Sequence, residues 1–270
     1  MRVCLLVDRR GHPVLDATAR ELVERHSATV TVVDAQALPP PDDADVYLLK
    51  SRSDRAIEAG RRAEVHGALV INSVRATKTC LDRKLMAARM SEAGLPFPKT
   101  WSASRLDAFI ASSKVHELAW PVIVKSRRSR RGDLVRVVRA SAELHCLAAE
   151  WGNEPVIVQP VVRHDGWDHK LWSVGHRLHA VRRSTAVGPH ARGLDIPVFP
   201  EQLPDGVDDL AHAVAAAFGL ELYGVDVLMT DVGPVVVDVN PFPGFRGVPD
   251  AGQAIAEHVI GLLAMAKGHA

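Results

Sequence analysis

Two carboxylates set inside apolar strands are the first residues that could do chemistry. Asp226 lies in Val225-Asp226-Val227-Leu228, and Asp238 in Pro234-Val235-Val236-Val237-Asp238-Val239-Asn240. An unpaired buried carboxylate is costly or shifts its pKa, so a carboxylate on an apolar strand needs a reason to be there. Between them, Thr230-Asp231-Val232-Gly233 has tight-turn composition, and the strands should pair antiparallel. Asp238 and Asn240 alternate with Val239, so both project from one face. A register that turns at 230–233 brings Asp226 opposite that face. Three oxygen-bearing side chains then converge, the donor type taken by a hard divalent cation such as Mg²⁺ or Mn²⁺. Strand-end aspartates that cap turns are the commoner arrangement; the apolar flanks argue against it here. Asn240-Pro241-Phe242-Pro243-Gly244 ends the strand and forces an irregular loop beside the expected metal.

The second reactive group is cationic. Lys125 ends the apolar strand Pro121-Val122-Ile123-Val124-Lys125, in a chain with only 8 lysines against 25 arginines. A triphosphate needs such fixed cations in a site that excludes water. The loop that follows, 126–132, carries Arg127, Arg128, Arg130 and Arg131. It is either a solvated hairpin tip or a clamp for phosphate or acceptor. Further on, 168–174 and 177–183 read as a hairpin through Gly175-His176 that presents Lys170, Arg182 and Arg183. Lys170 and Arg182 lie on adjacent strands and are expected to face one site. Arg182 and Arg183 point to opposite faces, so only one of them reaches it. No Walker A sequence and no GxGxxG after the first strand occur, which excludes a P-loop and a Rossmann dinucleotide site.

The elements that must hold these residues follow from the pattern. Apolar runs at 2–7, 29–33, 45–49 and 68–71 alternate with helical spacing at 14–25 and 54–65, an α/β layer of buried parallel strands. From about 76 the chain changes character, with a helix at 82–93 stopped by Gly94 and further helices expected at 104–113, 141–150, 207–218 and 249–265. The segment 184–205 reads as irregular. Three units are expected, 1–75, 76–162 and 163–270. Lys+Arg is 33 and Asp+Glu 32, so no bulk charge draws the chain to nucleic acid or an anionic membrane. The cysteines, 3 in number and far apart, exclude a disulfide framework. The first ten residues are too short in apolar run for a signal peptide, so a cytoplasmic location is expected.

The ordered motifs from about 68 to 265 resemble the ATP-grasp superfamily. Asp226, Asp238, Asn240 and Pro243-Gly244 are similar to its C-terminal signature. Asp82-Arg83-Lys84 followed by Gly94-Leu95-Pro96-Phe97-Pro98-Lys99-Thr100 resembles its entry to the nucleotide domain. The resemblance implies an α/β fold, α+β in the nucleotide-binding part, with a small N-terminal pre-ATP-grasp domain. It implies ATP and Mg²⁺ (or Mn²⁺) as cofactors, Arg83 and Lys125 on the phosphates, and the hinge strand at Gln159, Pro160, Val161 and Val162 against adenine. Asp226, Asp238 and Asn240 would ligate the metal. Two branches fit. RimK-like carboxylate–amine ligases make an acyl phosphate and then an amide; inositol trisphosphate 5/6-kinases phosphorylate a hydroxyl. Gln159, His164 and Lys170 resemble the kinase pattern, and Lys50 resembles its N-terminal lysine. Asp168-His169-Lys170 has Lys where the ligases carry Arg, and 188–195 lacks the Asn of their Arg-x-Asn loop. The layout favours the ligases. The resemblance then gives Lys170, Arg182 and Arg183 catalytic roles, and Lys50, Arg128, Arg131, His164 and Gly244 contact with the acceptor. That acceptor is a small molecule or a peptide, without nucleic acid or membrane; a homo-oligomer is compatible. An ATP-binding scaffold without turnover would not need Asp226, Asp238 and Asn240 together.

Overall fold

The computed structural model describes residues 1–34, 40–130, 132–185 and 195–268. The chain begins β1 (Arg2–Val7), α1 (Pro13–His26), β2 (Thr29–Asp34), β3 (Val46–Lys50), α2 (Asp54–Val65), β4 (Leu69–Ile71). These strands form a parallel sheet in the order β2-β1-β3-β4. β1 and β3 are almost wholly apolar because a parallel strand between helices is buried on both faces. Local signals start the helices: Pro13 opens α1, and the Ser53 hydroxyl accepts from the Ala56 N–H to cap α2.

Next come α3 (Val74–Leu81), α4 (Arg83–Glu92), β5 (Trp101–Ala103), α5 (Leu106–Ile110), β6 (Val122–Ser126), β7 (Val135–Val138), α6 (Ser141–Trp151) and β8 (Val156–Pro160). The helix expected at 104–113 is α5 followed by a 3-10 turn at Ser113–Glu117. The second sheet is antiparallel, β5-β8-β6-β7. Val122, Val124, Val156 and Val158 pack on Leu106, Phe109 and Leu144, leaving Ile123, Lys125 and Gln159 on the other face.

The last third supplies β9 (Trp167–Val174), β10 (Arg177–Ser184), β11 (Ile196–Val198), α7 (Val207–Phe218), β12 (Leu222–Thr230), β13 (Gly233–Pro241) and α8 (Ala251–Gly268). The third sheet runs β11-β10-β9-β12-β13, antiparallel throughout. Leu171, Val225, Val227, Val236 and Val239 bury its lower face against α7 and against Cys80, Met86 and Met90 of α3 and α4. α8 returns to the first sheet, where Ile255 and Val259 pack with Leu5, Leu15 and Leu22. The three expected units therefore each hold one sheet, but helices cross between them. An apolar stripe says that a helix is half-buried, not which sheet it covers. Asn72, buried beyond β4, ties the first sheet to the third. Its side chain donates to the Leu222 carbonyl (2.6 Å) and accepts from the Glu221 and Leu222 N–H groups (2.8 and 3.0 Å). Among the described residues no helix is long and apolar enough to cross a membrane.

Candidate active site

The upper face of the third sheet gathers the reactive residues by register. Asp226 stands opposite Asp238 on one side and opposite Lys170 on the other. Asn240 stands opposite Gly224. Cross-strand partners point the same way, so Asp168, Lys170, Asp226, Asp238 and Asn240 share one face. Lys170 Nζ lies 2.8 Å from Asp168 Oδ2 and 2.8 Å from Asp226 Oδ2. A β-bulge completes the arrangement. Asp226 pairs with Asp238 but the next residue, Val227, pairs with Val236, so Val237 is an extra residue on β13. Val236 can therefore enter the lower core while Asp238, two positions on, faces up. The Val237 carbonyl accepts a hydrogen bond from Lys125 Nζ at 3.2 Å, joining the second sheet to the third.

Burial pushes the Asp226 carboxyl up to about 6; Lys170 pulls it back, and Asp168 and Asp238 add to the rise. Burial also opposes the charge on Lys170, but Asp226 and Asp168 outweigh it and hold the ammonium above its usual range. Burial lowers Lys125, with Asp238 opposing. The face is thus a set of charges that depend on one another.

Between the second and third sheets lies a cavity of about 230 Å³. Ile123, Lys125 and Val137 form one wall, Asp168, Leu228 and Val237 the other, and Gln159, Pro160, Val161, Val162, His164 and Thr185 line it where the sheets meet. Gln159 is oriented by its neighbours. The Thr100 hydroxyl donates to the Pro98 carbonyl (2.8 Å), so it accepts from Gln159 Nε2 (2.9 Å). This leaves Gln159 Oε1 buried without a partner. Two more orphans lie nearby, Asp168 Oδ1 and Arg83 Nε. Arg83, the first residue of α4, donates through Nη1 to the Ser126 carbonyl (2.8 Å) and Asp133 (2.6 Å), while Nε stands 3.9 Å from Asp238 Oδ1. Buried polar atoms are normally bonded, so Gln159 Oε1 and Asp168 Oδ1, both on residues that line the cavity, mark places for a ligand, with Arg83 Nε beyond its lining beside Asp238. Gln159 Oε1 suits the exocyclic amine of adenine, and Lys125 and Arg83 suit phosphate. His164 accepts the Gly166 N–H at Nδ1 (3.0 Å) and stands 3.5 Å from the Thr185 hydroxyl.

The donor set for a cation is two carboxylates and one carboxamide, which fits Mg²⁺, an ion that uses one or two protein carboxylates and completes its shell with phosphate and water. Among the described residues no group of three or more His, Cys, Asp or Glu forms a metal site by itself.

Other expected residues fall elsewhere. Arg182 pairs with His169 on the lower face and lies 4.6 Å over the Trp167 ring. The shared site expected for Lys170 and Arg182 is therefore not formed, because Lys170 stands opposite Val181 and alternation turns Arg182 away. Arg183 is the one on the Lys170 face, held by Asp195 through two bonds of 2.6 and 2.8 Å. The arginine loop is engaged with carboxylates rather than open: Arg127 with Asp82, Arg128 with Asp54, Arg130 with Glu154. Arg131 lies outside the described residues. Lys50 and Gly244 sit at the carboxyl end of the first sheet, away from the nucleotide cavity, with Lys50 Nζ 5.9 Å from the Phe242 ring centre. The apolar walls Ile123, Leu228 and Val237 and the carboxylate Asp168 complete the cleft. Asp168 and Leu228 were reachable from period-two alternation through Lys170 and Asp226; Val237 was not, because the bulge breaks the period.

Two sheets gripping a cavity lined by a hinge strand, a buried lysine and an acidic strand pair are the arrangement of an ATP-grasp fold. Residues 83–263 match the model of the RimK-like ATP-grasp domain, and the chain belongs to that family. It is 28% identical over 214 residues to a probable alpha-L-glutamate ligase of Shewanella loihica, covering 75% of this chain and 68% of that protein. It is 29% identical over 263 residues to a probable alpha-L-glutamate ligase of Teredinibacter turnerae, covering 93% and 86%. In structure it is similar to the RimK domain protein ATP-grasp from Sphaerobacter thermophilus, with a TM-score of 0.75 at 22% identity over 96% and 99% of the two chains. The family match and the two relatives named as ligases place the chain with the ATP-dependent ligases, the ligase branch of the two that the motifs resemble.

Proposed function

We propose that the protein joins a carboxylate to an amine at the expense of ATP, with L-glutamate as one of the two substrates. The observation that carries this is the single sheet face bearing Asp168, Lys170, Asp226, Asp238 and Asn240 beneath a cavity walled by Lys125 and Gln159. Glutamate is inferred from the relatives named as alpha-L-glutamate ligases. Gln159 Oε1 accepts from the adenine amine and fixes the base. Lys125 exchanges the Val237 carbonyl for phosphate oxygen, gaining a charged partner for a buried ammonium. Arg83 offers its free Nε on the same side. A carboxylate oxygen of the acceptor attacks the γ-phosphorus, the bond to the ADP oxygen breaks, and an acyl phosphate forms. The amine then attacks the acyl carbon, inorganic phosphate leaves, and the nitrogen loses its proton. Lys170, held between two carboxylates, fixes positive charge beside the transferred group. Asp226, Asp238 and Asn240 would hold Mg²⁺, which when bound draws negative charge off the phosphoryl oxygens.

The test supplies ATP, Mg²⁺, glutamate and a panel of carboxylates and amines. ADP release should need both a carboxylate and an amine, and hydroxylamine should trap the activated acid as a hydroxamate. ADP formed with a phosphorylated hydroxyl compound, without any amine, would replace this reading with a kinase.

A further inference from the structure

A second cavity, of about 180 Å³, opens at the carboxyl end of β1 and β3, where α1 begins. Arg9, Arg10, Lys50 and Arg246 line it, together with His12 and one carboxylate, Asp8. Asp8 is committed to the loop after β3: it accepts from the Ser51 hydroxyl and from the Arg52 backbone N–H. The four cations make no ion pair among the described residues. Burial lowers Lys50 to about 8, Arg52 and Arg246 push the same way, and Asp8 opposes. His12 is lowered by burial and then by Lys50 and Arg246, and its Nδ1 is buried without a partner. His12 gives α1 no side-chain cap, so the positive end of a 14-residue helix also faces this space. Four cations against one carboxylate, itself bonded to the loop after β3 and with Asp16 acting on His12, make an anion site rather than a structural ion-pair network.

The cavity is joined to the active site by the chain itself. Asn240 ends the acidic face. Two residues on, Phe242 lies beside Lys50; Gly244 brings backbone to His12, where an added Cβ would stand 3.5 Å from Nε2; Arg246 lines the cavity. At about 180 Å³ the cavity is large enough for a single anionic group such as a carboxylate or phosphate.

We propose that this cavity holds a second oxyanion of the acceptor, a carboxylate or phosphate other than the carboxylate that is activated. The acceptor is then at least dianionic and lies along residues 240–246, one end at the γ-phosphate and the other at Lys50. This rests on the ligase reading above, but its test needs no turnover. Calorimetric titration of the full chain, with its nucleotide site filled by a non-hydrolysable ATP analogue and Mg²⁺, uses glutarate in one arm and inorganic phosphate in the other, at constant ionic strength. At least one anion should bind, and Lys50→Gln and Arg246→Gln should each weaken it by about 10-fold or more while leaving affinity for the ATP analogue unchanged. Arg246 is exposed, so its variant keeps the fold if Lys50→Gln does not. Weakening of glutarate assigns the arm as a carboxylate; weakening of phosphate alone assigns it as a phosphoryl group. If neither anion binds the wild type, or both variants bind as the wild type does, the proposal is wrong. A failed hydroxamate assay with this binding intact would overturn the ligase reading and leave the anion site standing.

Discussion

At the scale of single residues, Asp238 is the most exacting position. It faces Asp226 across the ladder and stands near Arg83 Nε, so under the proposed function it would serve both the metal and the charge balance of the cleft. Asp238→Asn keeps the shape and removes one charged ligand. A loss of several kcal/mol of charge stabilisation corresponds to roughly a 100-fold or larger fall in kcat; a folded variant with wild-type turnover would remove Asp238 from the site. Gln159 gives a sharper chemical test. Under the proposed function its free Oε1 would accept from the 6-amino group of adenine, whereas the 6-oxo group of inosine would set acceptor against acceptor. The wild type should bind ITP about 10-fold or more weakly than ATP, and equal affinities would count against the role. His169 carries a pH dependence unrelated to catalysis. It is buried on the lower face with both ring nitrogens unpartnered, and burial pushes its pKa below the usual value. The folded state holds the neutral ring, while the unfolded chain takes a proton near the ordinary imidazole value of about 6.5. Stability is therefore present above that pH and lost as pH falls below it. Urea unfolding near pH 5.5 and near pH 7.5 should show a smaller difference for His169→Phe than for the wild type. His12 and His179 shift in the same direction, so the slope shrinks and does not vanish.

At the scale of elements, Asn72 is the fastening between the first and third sheets. Asn72→Ala strips three hydrogen bonds from buried backbone and side-chain groups, a loss of about 2–4 kcal/mol. The urea midpoint should fall with little change in slope; an unchanged midpoint would mean that apolar packing alone joins the two. No feature of the sequence marks Asn72, because its partners lie some 150 positions away. The acidic strand pair was legible for the opposite reason. Its partners are local and its turn at 230–233 is compositionally plain, but that turn alone would set Asp226 opposite Val237; the bulge, which the sequence does not mark, brings Asp238 opposite Asp226. The hairpin through Gly175-His176 was equally legible, but its register was not, and one residue of register decides whether Arg182 or Arg183 shares the face of Lys170. The arginine loop hid its partners too. A run of arginines shows charge, while Asp54, Asp82 and Glu154, which engage it, are scattered over a hundred residues. The short strand β11 escaped notice because three residues cannot establish a period.

At the scale of the whole molecule, the nucleotide site belongs to no single unit. One wall comes from the second sheet and the other from the third, so nucleotide binding should stabilise them together. With ADP and Mg²⁺ at about 100 times Kd, unfolding free energy should rise by about 2.7 kcal/mol. Lys125→Met should lessen that rise at the same nucleotide concentration, because Lys125 would otherwise trade the Val237 carbonyl for phosphate. A rise identical in both proteins would place the nucleotide away from Lys125. The first sheet shares in this through α8, which leaves the third sheet's loop and packs across β1 and α1. The parallel layer at the start of the chain and the two late hairpins were readable from strand and helix spacing; the strand order of the second sheet was not. The closing helix was not assignable to its sheet, since burial on one stripe is the same wherever the partner lies.

The bulge at Val237 also has a genetic consequence. In an ordinary strand, losing one codon inverts the facing of every residue on one side of the lesion and sends carboxylates into the core. β13 is expected to contain one exception. Deleting Val237 leaves Val236 opposite Val227 and Asp238 opposite Asp226, because the ladder already skips that position. In a library of single-codon deletions across 234–240, the deletion of Val237 should be the one that still yields folded protein, lacking only the carbonyl that receives Lys125.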